Sequence, residues 1–100
     1  MLILQGVDIS RLNREIRRGL GIVEKIYNVN YEELVIKSTY EGIHSAGSLH
    51  YGNDAFDMRY PLKFPGTIIE GVRRALGPGY HVVEEEDHVH IGYDTKRSYK

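Results

Sequence analysis

The sequence predicts an α+β domain, a small and mostly antiparallel sheet flanked by two helices. Three observations carry this. Apolar residues recur at spacings of three and four at Leu12, Ile16, Leu20, Val23 and Ile26, and again at Ile69, Val72 and Leu76; that is the stripe of an amphipathic helix packed on a sheet. Residues 55 to 60 alternate instead, with Phe56 and Met58 on one face and Asp57 and Arg59 on the other, the period of a strand with one buried side. Further β-prone runs lie at 34–40, 80–84 and 89–93, so the order α, β, β, α, β, β predicts strands joined mainly as antiparallel neighbours.

Taken in order, residues 1 to 6 read as a short strand or an apolar arm. Asp8 or Ser10 is expected to cap the first helix, because either side-chain oxygen can accept from an unpaired first-turn N–H. Gly19 and Gly21 weaken that helix by roughly 1 kcal/mol each relative to alanine, and a break there is compatible with the pattern. Asn28 to Asn30 reads as a turn. Leu34 to Tyr40 is a strand with Leu34 and Ile36 apolar, and residues 41–47 form a loop rich in small residues. Pro61 and Pro65-Gly66 end the alternating strand. A second helix follows from Thr67 to Leu76 and is stopped by Gly77-Pro78-Gly79. The last two strands flank the acidic run Glu84-Glu85-Glu86-Asp87, and the tail from Thr95 reads as frayed.

One hundred residues make a single domain, 1–100, with room for one core. Apolar residues at 41% and charged residues at 27% place it among ordinary globular chains. The net charge of −1 offers no electrostatic footprint for nucleic acid, and no polybasic stretch points to a membrane surface. No run approaches the length of a membrane helix. Met1 to Gly6 lacks the basic start of a signal peptide, so the expectation is a protein made in the cytoplasm.

The chemistry concentrates in Ser48-Leu49-His50-Tyr51-Gly52-Asn53-Asp54-Ala55-Phe56-Asp57 and in Asp87-His88-Val89-His90. With no cysteine in the chain, a zinc site would draw on histidine and carboxylate. His50 and Asp57 can sit on neighbouring strand ends joined by a turn at Gly52-Asn53. His88 and His90, two apart, share a face if their segment is a strand. Three protein donors converging there leave a fourth position for water, the pattern of a catalytic zinc site in a cleft on the sheet.

Ser48-x-His50, Ala55-x-Asp57 and Asp87-His88-x-His90 together resemble the zinc peptidases of the D-Ala-D-Ala carboxypeptidase type. That family includes phage endolysins cutting L-alanyl-D-glutamate bonds, and the hedgehog signalling domain shares its fold. The resemblance covers roughly residues 34 to 94. It implies that His50, Asp57 and His90 hold Zn2+, that Asp87 is the general base, and that His88 hydrogen-bonds the substrate or the oxyanion. Ser48 would lie near the metal, and Glu84 is the reserve base, placed as in hedgehog-type domains. The implied partner is a peptidoglycan or other D-amino-acid peptide, with release for lysis if the gene is phage-borne.

Two features depart from the family pattern. Its glycine falls three residues after the first histidine, whereas here Gly52 is one position early and the turn must be rearranged. The arginine that ends the preceding strand and binds substrate carboxylate is replaced by Glu41 after Ser38-Thr39-Tyr40; Arg59 or Lys37 could take its place. His44 and His81 are read as ordinary surface or satisfied histidines, and the acidic run, Asp87 apart, as a solvated loop. The alternative function is a catalytically silent zinc-binding interaction module of the same fold, which the shifted glycine and the missing arginine favour and the intact Asp87 and His88 oppose.

Overall fold

The computed structural model describes residues 1–39 and 53–94. The elements run β1 (Leu2–Ile3), α1 (Arg14–Val29), β2 (Val35–Ser38), β3 (Ala55–Arg59), α2 (Pro65–Leu76), β4 (Tyr80–Glu84) and β5 (His88–Tyr93). They build a five-stranded sheet in the order β1-β2-β3-β5-β4. Only β1 and β2 are parallel, joined through α1, with Leu2 N–H donating to Leu34 O at 2.8 Å. The other three pairings are antiparallel.

Alternation decides which side of the sheet is dry. Leu34 and Ile36 beside β3's Phe56 and Met58 and β5's Val89 and Ile91 form one buried cluster with Ile16, Leu20, Val23 and Tyr27 of α1 and Ile68, Ile69, Val72 and Leu76 of α2. Both helices therefore cover the same face, a two-layer arrangement rather than a sheet flanked on two sides. The opposite face takes the odd residues of β3 and the even residues of β5.

Several local expectations are corrected. α1 runs unbroken through Gly19 and Gly21 and on to Val29, past the turn expected at Asn28. Tertiary packing overrides the glycine penalty: Gly19 is buried, and a Cβ there would lie 2.8 Å from the Tyr80 ring. The helix is preceded by Asn13 rather than capped by Asp8 or Ser10. The Asp8 carboxylate accepts from Ser10 N–H at 2.9 Å and Ser10 Oγ at 2.6 Å, a local turn that occupies both residues. Asn13 makes no side-chain cap either; its Nδ2 donates to Asp54 Oδ1 at 2.7 Å and its N–H to Asn53 O at 2.9 Å, tying the helix start to the entry of β3. The expected loop at 41–47 and the tail from Thr95 lie outside the described residues.

Phe56 is fully buried at the centre of this cluster. Phe56→Ala should cost about 3–5 kcal/mol in denaturant unfolding, whereas Leu62→Ala, at a side chain 72% exposed, should stay within about 0.5 kcal/mol. Equal effects of the two substitutions would contradict this assignment of the core.

Candidate functional site

The site is built on the central pair β3–β5. Asp57 lies directly opposite His90 and Arg59 opposite His88. Tyr93 N–H donates to Asp54 O at 2.9 Å, which makes the Asp57–His90 and Arg59–His88 pairs the non-hydrogen-bonded kind, with the closest side chains. His90 Nδ1 is 3.2 Å from Asp57 Oδ1, and His88 Nε2 is 4.0 Å from Asp57 Oδ2. His88 Nδ1 in turn lies 2.8 Å from Asp87 Oδ1. With its proton on Nδ1, His88 donates to Asp87 and leaves Nε2 facing Asp57.

The β2 edge of this group is shaped by a bulge. Ile36 pairs with Met58 but Ser38 with Asp57, so two residues of β2 oppose one of β3. Lys37 sits at that irregularity and reaches across β3 to Asp87 Oδ2, 3.5 Å away. The His88 hydrogen bond, with the Lys37 charge second, holds the Asp87 carboxyl below the ordinary aspartate range. Asp87 is therefore ionised at neutral pH, and its side chain is 75% exposed to solvent.

Arg59 and Glu84 behave differently from one another. Arg59 shares the face of Asp57, and its Nη2 approaches Glu32 Oε2 at 3.8 Å; Asp57 meets the two histidines instead of forming an ion pair with Arg59. Glu84 points to the helix side with Tyr80 and Val82, where it accepts from Tyr60 Oη at 3.0 Å and Arg73 Nη2 at 3.3 Å. The reserve base is thus on the other face of the sheet from Asp57, His88 and His90. Ser48 and His50 lie outside the described residues.

Two donors on a tetrahedral zinc with bonds near 2.1 Å would stand about 3.4 Å apart; Asp57 Oδ1 and His90 Nδ1 stand 3.2 Å apart, a separation that a hydrogen bond between them also gives. Among the described residues no group of three or more histidine, aspartate or glutamate side chains is arranged to hold a metal. Asp57 and His90 would be two of the three expected donors, and the third, His50, lies outside the described residues.

The turn before β3 has its own local explanation. Asn53, at the start of the described segment before β3, has φ 64. That left-handed conformation is the default of glycine, with asparagine the commonest substitute.

Three residues on or beside this face have surroundings that the pattern alone does not give. The contact of Lys37 with Asp87 depends on the β2 bulge. His81, expected to be an ordinary surface or satisfied histidine, instead lies opposite Gly92 on the same face as His90, with its Nε2 buried and without a hydrogen-bond partner among the described residues; strand alternation in 80–84 is the signal for its face. Glu32 has a side chain only 3% exposed, accepting from Lys63 N–H at 2.7 Å, and nothing local in Asn30-Tyr31-Glu32 signals its burial.

Comparison of the chain with family models, with curated proteins and with solved structures found no match.

The contacts of Asp87 set a pH dependence with a definite sign. Its folded pKa is lowered, so its contribution to stability is complete above the unfolded value of about 3.9 and is lost as pH falls through the depressed value. A carboxyl NMR titration should find Asp87 below ordinary aspartates, with His88→Gln and Lys37→Met each moving it upward. An ordinary value in the wild type would contradict the geometry.

Proposed function

We propose that this protein is a zinc metallopeptidase that hydrolyses peptidoglycan-type peptide bonds next to D-amino acids, either D-Ala-D-Ala or L-Ala-D-Glu. The observation that carries the reading is the pairing of Asp57 with His90 at 3.2 Å, with the Asp87–His88 pair beside it on the same face. These are the residues to which the Ser-x-His, Ala-x-Asp and Asp-His-x-His resemblance attaches roles.

In this reading His50, Asp57 and His90 hold the zinc, which when bound supplies a Lewis acid for the peptide carbonyl and an activated water. Asp87, ionised and exposed, takes the proton of the attacking water and returns it to the leaving amine. Asp87 also orients His88 by accepting from its Nδ1–H, and in the imidazolium form His88 can donate from Nε2 to the substrate carbonyl oxygen as charge develops on it. Peptides of the bacterial wall are the proposed partners. Among the described residues no helix is long and apolar enough to cross a membrane.

A specific observation favours the second reading, a zinc-binding interaction module without turnover. His88 and Lys37 lower the pKa of Asp87, and a weaker base accepts protons less well.

Incubation with defined muropeptides, read by mass spectrometry, decides between the two readings. Asp87→Ala should lose about 10²-fold to 10⁴-fold in turnover, and Glu84→Ala much less, because Glu84 faces the helices. If zinc-replete wild type cuts none of the D-Ala-D-Ala, L-Ala-D-Glu or cross-linked substrates, the peptidase reading fails and the binding module stands.

A further inference from the structure

We infer that Arg73 guards the open edge of β4, and that this edge, once uncovered, takes the β4 strand of a second copy in antiparallel pairing. Arg73 and Glu84 lie on the helix side of the sheet, so the edge and the proposed zinc site stand or fall separately.

The sheet ends in β1 on one side and in β4 on the other. β1 is only two residues long, whereas β4 runs for five. Glu85 N–H donates to His88 O at 2.9 Å and Asp94 N–H to Gly79 O at 3.0 Å. With Val83 opposite His90, these bonds fix the odd residues of β4 as the ones that pair with β5. The backbone N–H and C=O groups of Tyr80, Val82 and Glu84 therefore point outward. Such a row is a template for another strand.

Arg73 reaches from α2 to the middle of this row. Its Nη1 donates to Val82 O at 2.8 Å and its Nη2 to Glu84 Oε2 at 3.3 Å. Tyr60 Oη donates to the other carboxylate oxygen at 3.0 Å, which fixes Glu84 as the anchor of the guanidinium. The central carbonyl of the edge is thus occupied, and a charged group stands where an incoming N–H would have to arrive. Stability alone does not account for the arrangement. Both side chains of the ion pair are 44% exposed, and exposed pairs add little, whereas a charge placed on an edge strand keeps sheets from joining.

A second β4 fits the uncovered row in one orientation. Antiparallel and centred on Val82, it sets Val82 opposite Val82 and Tyr80 opposite Glu84 of the second copy. Each outward N–H then meets an outward C=O across a two-fold axis. The acidic runs at 84–87 fall at opposite ends of that pair. A parallel pairing would bring them side by side, which like charge disfavours. Val83, 42% exposed, adds an apolar side chain on the far face of the joined sheets.

Arg73→Ala removes the guard at an exposed position, so the fold is retained. It is compared with wild type by sedimentation over a range of concentrations and by amide hydrogen exchange along β4. The apparent mass of Arg73→Ala should double as concentration rises, while wild type stays monomeric. Exchange in the variant should slow at Tyr80, Val82 and Glu84 and stay unchanged at His81 and Val83, whose N–H groups already pair with β5. Adding Val83→Lys to Arg73→Ala puts like charges diagonally across the new pairing and should restore the monomer. A wild type already paired through β4, or an Arg73→Ala that stays monomeric, overturns the inference. So does association that lacks the alternating protection or survives Val83→Lys.

Discussion

The structure depends on the register between β3 and β5. Asp57 opposite His90 and Met58 opposite Val89 mean that one alternation delivers both the core and the polar face. A slip of a single residue would carry Phe56, Met58, Val89 and Ile91 into water and bury Asp57, Arg59, His88 and His90 unpaired. The burial of the apolar set thus holds the polar set in place. The site needs no rigidity of its own beyond that of the sheet, because both α1 and α2 pack on the face behind it.

Charge is distributed on the two faces with the same economy. On the helix side, Glu84 closes a contact between Arg73 and Tyr60. On the other, Asp87 is flanked by His88 and Lys37, and Arg59 leans on buried Glu32. Two carboxylates three residues apart in one acidic run therefore have different surroundings: one stitches β4 to α2, while the other stands exposed between His88 and Lys37. This separation follows from alternation, which sends Glu84 with Tyr80 and Val82 to the helices.

Much of the fold was legible in the sequence because its signals are local. The stripe from Leu12 to Ile26, the alternation at 55–60 and the glycines at 77 and 79 each depend on near neighbours, and all mark elements or ends close to where the structure has them. The parity that puts Asp57, Arg59, His88 and His90 on one face was legible for the same reason. What was missed depends on distant partners. The cap of α1 failed because Asp8 is satisfied by Ser10 and Asn13 by Asp54, forty-one residues away. The burial of Glu32 depends on Arg59 and Lys63, and the reach of Lys37 to Asp87 depends on a bulge in β2.

The central proposal is that Asp57 and His90, together with His50, would hold a single zinc ion. Zinc content of protein purified without added metal, set beside Asp57→Ala and His90→Ala, tests it most directly, with His81→Ala as the control on the same face. The account predicts close to one equivalent in the wild type and in His81→Ala, and its loss in the other two. Full zinc retained in both Asp57→Ala and His90→Ala would contradict it.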